Sequence, residues 1–213
     1  MSKLKEIYKT LSSRYGDLEW WPAESPFEVI VGAVLTQNTA WTNVEKALGR
    51  FEGNLSPERI LNMPTEELEE IVRPAGFFRQ KSRYLKAVTE WFTGCNCDID
   101  LIRSAPLSSI RAGLLKVRGV GNETADSILL YAFNLPTFVV DAYTVRFFGR
   151  FPINAGNSYM EIKDFCERNL PKDAKLYGDF HALIVQNGKE HCKKKPECFG
   201  CPLEKSCEKK MEE

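Results

Sequence analysis

Four cysteines near the end of the chain have a spacing that indicates a metal centre. Cys192, Cys198, Cys201 and Cys207 are separated by five, two and five residues, and Pro202 follows the third. Four thiolates on one short loop can bind a tetrahedral zinc ion or the corners of an iron–sulfur cube. Structural zinc sites usually repeat a CxxC pair, which occurs only once here, so the spacing favours a cluster. Disulfides are the alternative, but nothing else in the chain is typical of a secreted protein.

A glycine turn and a later carboxylate form a second group of candidate residues. Gly119 and Gly121 allow a sharp reversal that exposes backbone N–H groups at the start of the next helix, where anions bind. A plain helix–helix connection is the alternative. Asp141, twenty residues after Gly121, follows the apolar run Phe138–Val140. Its carboxylate could cap a helix, stabilise positive charge in a reaction, or do both.

Aromatic and basic residues offer surfaces for nucleic acid. Trp20, Trp21 and Trp41 could stack on a base, and the alternative for each is a place in the core. The formal net charge is zero, so attraction to a polyanion must come from local clusters. The candidate cluster lies between the first two tail cysteines and consists of Lys193, Lys194 and Lys195, which could also form a solvated surface.

The remaining cysteines and both histidines receive no chemical assignment from the sequence. Cys95, Cys97 and Cys166 read as ordinary loop or core thiols, with a redox pair of the first two as the alternative. A single histidine is more often structural than catalytic. His181 and His191 are therefore left without a catalytic role.

The segments that must position these residues have helical periodicity almost throughout. Ser25 and Pro26 predict a helix start, Arg79–Phe92 and Thr124–Phe133 predict longer helices, and only Thr137–Val140 is strand-like. With 213 residues and 43% apolar content, the chain can form one large core or two small ones. The sequence predicts an all-α protein of about ten short helices. We expect two lobes, residues 26–135 and residues 1–25 with 136–213.

The N-terminal segment and the hydropathy indicate a cytoplasmic protein without a membrane partner. Met1–Trp20 is amphipathic and charged rather than a signal peptide, and no apolar run is long enough to cross a bilayer.

Several motifs together resemble the helix-hairpin-helix DNA glycosylases related to endonuclease III. They are Leu114–Ala125 with its two glycines, Val139–Asp141 followed by Arg146, and the tail cysteines, which resemble that family's 4Fe-4S loop. The resemblance implies a two-lobed helical fold and a base-excision-repair enzyme with Asp141 as a catalytic residue. It also implies a 4Fe-4S cluster on the four cysteines and DNA-backbone contacts from the glycine turn and the lysine run. The expected partner is double-stranded DNA with a damaged base, bound by a monomer associated with the nucleoid.

Position 123 and three short strings indicate the subgroup. Bifunctional endonuclease III carries a lysine where this chain has Glu123, which implies weak or absent lyase activity. The strings 121–129, 20–22 and 32–39 are similar to the type III 3-methyladenine DNA glycosylases. That similarity implies that Trp41 and a tryptophan of the Trp20–Trp21 pair hold the extruded base.

The residues around that base complete the predicted site. Gln37 or Asn38 would fill the space left by the base, or else cap a helix. Glu123 is predicted to be a catalytic residue together with Asp141, and its carboxylate would favour a cationic base. The sequence therefore predicts a monofunctional glycosylase for an alkylated purine such as 3-methyladenine. One alternative is excision of oxidised, deaminated or mismatched pyrimidines, and another is a non-catalytic iron–sulfur DNA-binding protein.

Overall fold

The fold is built from α-helices, as the sequence predicts. The computed structural model describes residues 3–208, and within that range every regular element is helical. The described α-helices are α1 (Lys3–Tyr15), α2 (Pro26–Leu35), α3 (Trp41–Gly49), α4 (Pro57–Asn62), α5 (Thr65–Val72), α6 (Phe78–Gly94), α7 (Ile99–Ser104), α8 (Leu107–Leu115), α9 (Asn122–Ser127), α10 (Ala142–Arg150), α11 (Tyr159–Asn169) and α12 (Ala174–Glu190). A 3-10 turn, Arg73–Ala75, follows α5, and a π-helical segment, Ile128–Ala132, continues α9.

The chain divides into two compact units. The first comprises Met1–Pro22 and Pro136–Glu213, and the second comprises Ala23–Leu135. Helices α1, α10, α11 and α12 belong to the first unit, and α2 to α9 belong to the second. Within residues 3–208, no helix is both long and apolar enough to cross a membrane.

The second unit is organised around α2. This helix begins at Ser25, whose hydroxyl accepts a hydrogen bond from the Glu28 backbone N–H at 3.2 Å, with Pro26 at its first position. Eight of its ten residues are buried. Such a helix must be surrounded on all sides rather than lie on a surface. Stacked rings of Phe27, Phe92 and Phe133 extend the core, with centroids 5.8 and 6.3 Å apart.

The core of the first unit forms where α12 packs against α1 and α10. Phe138 lies edge-on to Tyr177 and Phe180 of α12, with centroids 5.7 and 6.0 Å apart. The strand-like run Thr137–Val140 is buried, but it is not part of a sheet in the described range. A side chain pairs with one of its backbone groups instead, because the Phe138 N–H donates to Glu167 Oε1 at 2.8 Å.

A buried ion pair joins the two helices of the hairpin. Arg111 of α8 donates from Nε and Nη2 to the two carboxylate oxygens of Asp126 in α9, at 2.8 and 2.9 Å. The same Nη2 also donates to Asn122 Oδ1 at 2.8 Å. The Asp126 side chain has no solvent exposure. This bidentate contact fixes the position of α9 relative to α8.

We expect Asp126→Ala to lower the free energy of unfolding by about 3–5 kcal/mol, because the change leaves the Arg111 charge poorly compensated inside the hairpin. Urea unfolding monitored by circular dichroism measures the loss. Asp100→Ala is the matched control, because Asp100 is 94% exposed and 3.6 Å from Arg103. The control should change stability by less than about 0.5 kcal/mol. Equal effects of the two changes would contradict the structural role of the buried pair.

Candidate functional site

Asp141 accepts two hydrogen bonds at one carboxylate oxygen and faces an imidazole with the other, at the start of α10. Its Oδ1 accepts hydrogen bonds from the Thr144 backbone N–H at 2.7 Å and from the Thr144 hydroxyl at 2.9 Å. Its Oδ2 lies 3.7 Å from Nε2 of His181, and the aspartate side chain is only 14% exposed. Asp141 therefore caps the helix, and its carboxylate has a fixed orientation in a largely dry environment.

The carboxylate stays ionised in spite of this burial. Burial by itself raises the pKa of Asp141, but the imidazole of His181 and the two Thr144 donors outweigh it and hold the pKa below its usual value. A negative charge in a water-poor site acts more strongly on a nearby positive charge than it would in bulk water. The arrangement is suited to stabilising a cation that develops during a reaction.

His181 connects this carboxylate to one of the predicted base-stacking residues. The imidazole is 5% exposed in α12, and the ring of Trp20 meets it edge-on at 6.2 Å between centroids. Nζ of Lys189 lies 4.8 Å from the Trp20 ring centroid. Sequence reasoning missed His181, because it is forty residues from Asp141 and belongs to no local motif. Tertiary packing alone brings the two together.

The loop between α2 and α3 is bound to the glycine turn in the second unit. Nε2 of Gln37 donates to the Gly119 carbonyl and to Thr124 Oγ1, both at 2.9 Å. Both amide protons are therefore used inside the protein, which gives Gln37 a structural role beside the predicted one. Asn38 follows in a left-handed conformation, with φ +54° and an exposed side chain.

Only one of the two predicted turn glycines is sterically required. Gly119 has φ +89°, and a Cβ there would lie 2.1 Å from Cγ of Tyr84. Gly121 is extended and has open space around it. Glu123 lies exposed in the first turn of α9, and Trp41 is half-buried at the start of α3.

A buried lysine ties the same loop to a second turn. Nζ of Lys81 in α6 donates to the carbonyls of Leu35 at 2.9 Å and Ala75 at 2.7 Å. Leu35 ends α2 just before the Gln37 loop. Phe77, two residues after Ala75, is 64% exposed in a left-handed conformation. No motif in the sequence marks Phe77, because only the structure shows that its ring is exposed.

The four tail cysteines line one recess in the first unit. Two arginines of α10 hold the loop through its carbonyl groups. Nε of Arg146 donates to Cys192 O at 2.7 Å, and Arg150 donates to the carbonyls of Lys193 and Lys194 at 2.6 and 3.0 Å. Nη1 of Arg150 also lies 3.5 Å from the Cys192 sulfur.

The four cysteines share one recess, although no group of three or more His, Cys, Asp or Glu side chains in residues 3–208 is arranged to hold a metal ion. Burial raises the pKa of Cys201, the Leu203 N–H lowers it in part, and the other three cysteines raise it further. The four sulfurs are thus electrostatic neighbours around one space.

The three lysines of the cysteine loop differ in their surroundings. Lys193 pairs with Glu197 at 2.8 Å, whereas Lys194 and Lys195 are exposed.

Burial raises the pKa of both Cys95 and Cys97, so neither has the character of an activated thiol.

Comparison with known proteins identifies the family. A model described as HhH-GPD superfamily base excision DNA repair protein matches residues 31–172. This chain belongs to the HhH-GPD superfamily. It is 46% identical over 207 residues to a protein of Methanocaldococcus jannaschii named provisionally as a DNA repair glycosylase, covering 95% of this chain and 94% of the relative.

Two solved structures of known glycosylases are similar to this HhH-GPD protein over most of the chain. Endonuclease III in a non-covalent complex with DNA has a TM-score of 0.80 at 26% identity, covering 98% of this chain and 97% of the other. The 3-methyladenine DNA glycosylase of H. pylori, bound to 1,N6-ethenoadenine, has a TM-score of 0.76 at 29% identity, covering 89% and 98%. The similarity confirms the helix-hairpin-helix glycosylase fold.

Lys81 should give this HhH-GPD protein a characteristic pH dependence of stability. Burial lowers the pKa of Lys81 to about 8, below its ordinary value. Between about pH 8 and 10.5 the unfolded chain therefore binds more protons at this group, and its contribution to stability rises with pH by up to about 3 kcal/mol. Urea midpoints of the wild type and Lys81→Met at pH 7, 8 and 9.5 test this. The difference between the two proteins should shift in favour of the wild type as pH rises, and a constant difference would contradict it.

Proposed function

We propose that this HhH-GPD protein is a monofunctional DNA glycosylase that excises alkylated purines, such as 3-methyladenine, from double-stranded DNA as a monomer. The observation that carries the proposal is the buried, ionised and doubly anchored carboxylate of Asp141 in a chain of this superfamily. A protein that only binds a polyanion gains nothing from a fixed negative charge of this kind.

The proposed reaction requires the charge that Asp141 supplies. A base inside a duplex must first be flipped out and held against aromatic surfaces. Breaking its glycosidic bond leaves positive charge on the sugar ring, which a carboxylate stabilises while water attacks. Because Asp141 is already oriented and poorly hydrated, little reorganisation is needed when this charge develops.

Position 123 supports a reaction without strand cleavage. A lyase forms a Schiff base between an amine and the sugar C1′. The side chain in the first turn of α9 is the carboxylate Glu123, which cannot form that bond. Water is then the nucleophile, and the product is an intact strand with an abasic site.

The choice of an alkylated purine rests on charge. N-alkylation makes the purine cationic and weakens its glycosidic bond, so the enzyme needs to supply little protonation of the leaving group. Aromatic faces attract cations by roughly 0.5–2 kcal/mol each, and a carboxylate adds to the preference. We assign these roles to Trp41, to Glu123 and to the Trp20–Trp21 pair. Similarity to the H. pylori 3-methyladenine DNA glycosylase supports this choice.

Separate groups would hold the DNA itself. We assign backbone contacts to the turn at Gly119 and Gly121 and to the lysine run 193–195, and contact with the orphaned base to Gln37 or Asn38. Bound phosphates would face N–H groups at the start of α9 and exposed ammonium groups on the cysteine loop.

We further propose that Cys192, Cys198, Cys201 and Cys207 hold a 4Fe-4S cluster. When bound, the cluster supplies a rigid cross-link between four points of a loop that has few apolar residues of its own. The protein's own contribution is the carbonyl anchoring by Arg146 and Arg150. Together these would keep Lys194 and Lys195 in place for the DNA backbone.

Cys198→Ser should lose the iron and the brown colour, and it should make the tail sensitive to proteolysis. Cys97→Ser is the control, since Cys97 is an exposed cysteine of the second unit and is not one of the four tail cysteines. Iron analysis, visible absorption and limited trypsin digestion measure the three effects. A colourless wild type containing one zinc would contradict the cluster.

Asp141→Asn should lower base excision by at least about 100-fold while DNA binding persists, because the lost interaction is with charge in the transition state. Asparagine caps helices as well as aspartate does, so α10 should remain intact. Asp173→Asn is the matched control, because Asp173 caps α12 through the Leu176 N–H at 2.8 Å. Single-turnover excision and DNA-binding titrations separate the two effects. An active Asp141→Asn variant would exclude the mechanism.

A panel of lesion-bearing duplexes tests the function directly. We expect release of 3-methyladenine from methylated DNA, and strand scission should require added alkali. Borohydride should trap little protein on DNA. Trp41→Ala and Glu123→Gln should each lower the release by about 5- to 30-fold, the range for losing one contact worth 1–2 kcal/mol.

The outcomes of the panel separate the candidate functions. Excision of thymine glycol or uracil with methylated DNA left untouched would assign the protein to pyrimidine lesions. Efficient borohydride trapping would show that a lysine elsewhere serves as the nucleophile. Binding without excision of any lesion would exclude a glycosylase.

A further inference from the structure

The imidazole of His181 contacts both Asp141 and Trp20 in the first unit. Its Nε2 is 3.7 Å from Asp141 Oδ2, and its ring lies at an interplanar angle of 86° to the ring of Trp20. The histidine side chain is 6% exposed. It is therefore held in place by packing and is separated from bulk solvent.

The aspartate needs a partner at its second oxygen. Thr144 occupies Oδ1 with two donors, which fixes one end of the carboxylate. Without a polar group near Oδ2, a buried carboxylate would bear an uncompensated desolvation cost. The nitrogen of His181 lies within ion-pair distance of that oxygen. The position of the imidazole therefore determines the rotation of the Asp141 carboxylate about its Cβ–Cγ bond.

We infer that His181 is a positioning residue of base excision, which orients the Asp141 carboxylate and fixes its distance from the base-stacking ring of Trp20. This inference rests on the proposed function, because it concerns the groups assigned to the sugar and to the base. His181 acts through its two neighbours and does not touch DNA itself. The two parts of the flipped nucleotide would thus meet a single preassembled unit of three side chains.

A carboxylate and an aromatic ring face the imidazole. Asp141 faces it from the start of α10, and Trp20, which faces it from the segment after α1, is uncharged. Lys189, on the same helix as His181, lies over the Trp20 ring. Removing the imidazole should therefore change mainly the carboxylate, whose pKa it helps to hold down.

The test compares His181→Leu and His181→Gln with the wild type in the full-length protein. Tyr177→Phe is the matched control, because Tyr177 is a buried residue of the same helix that packs on Phe138 rather than on Asp141. Single-turnover release of base from methylated duplex DNA is measured from pH 4.5 to 9. Affinity is measured separately on a duplex with a tetrahydrofuran abasic-site analogue.

His181→Leu should lower the single-turnover rate by about tenfold or more, the factor for losing one charge-assisted contact, while affinity changes less than about twofold. The acid limb of the rate profile should move to higher pH, because Asp141 must be ionised and its pKa rises without the imidazole. His181→Gln retains an N–H donor and should recover part of the rate. In a double-mutant cycle, Trp20→Phe and His181→Leu should be non-additive.

An unchanged acid limb and rate in both variants would overturn the inference, as would losses of rate that only parallel losses of affinity and unfolding midpoint. If the wild type excises no lesion, the proposed function fails, but the contact itself remains testable. The carboxyl 13C shift of Asp141 then gives its titration directly, and an unaltered titration in His181→Leu would overturn the positioning role.

Discussion

The carboxylate of Asp141 must remain charged in a place where water is scarce, and this constraint organises the first unit. Thr144 satisfies it locally by donating from the first turn of α10, and His181 satisfies it from a distant helix. Further along α10, Arg146 and Arg150 bind the carbonyls of the cysteine loop. One nine-residue helix therefore connects the candidate catalytic group with the candidate cofactor loop.

The cysteine loop has few means of holding itself in place. Leu203 is its buried apolar residue, and most of its other side chains are polar or partly exposed. The two arginines therefore act on its backbone rather than on its side chains. Carbonyl anchoring fixes the path of the chain, and cross-linking through the cysteine sulfurs would fix the rest. A loop held in this way can present lysines to a polyanion without losing entropy on binding.

In the second unit, buried polar side chains fix the paths of the loops in the hairpin region. Lys81 joins the end of α2 to the turn before Phe77, and Gln37 joins the following loop to Gly119. The ion pair between Arg111 and Asp126 fixes α9 against α8 in the hairpin. Apolar packing determines that α2 is central, but it leaves the exposed loops free to adopt several paths. Directional hydrogen bonds select one path, at the cost of burying charged groups.

Local chemistry in the sequence determined where many helices begin and which residues could react. Ser25 and Asp141 cap helices as predicted, because a cap depends on a side chain and an N–H three residues later. The all-α class followed from periodicity in the same way. The spacing of the tail cysteines also predicted that they would gather on one loop, and all four line one recess.

The tertiary structure alone decided which groups act on those residues. His181 faces Asp141 across forty residues of sequence, Arg150 reaches a loop more than forty residues later, and Lys81 reaches the Leu35 carbonyl from α6. Gln37, predicted from its motif to face DNA, also donates to the hairpin. These contacts depend on how helices pack, and no spacing in the sequence encodes them, because the partners share neither a turn of helix nor a loop. Residue types and their spacing identified the candidate carboxylate and thiols, whereas packing set the charge of Asp141 and the neighbours of all of them.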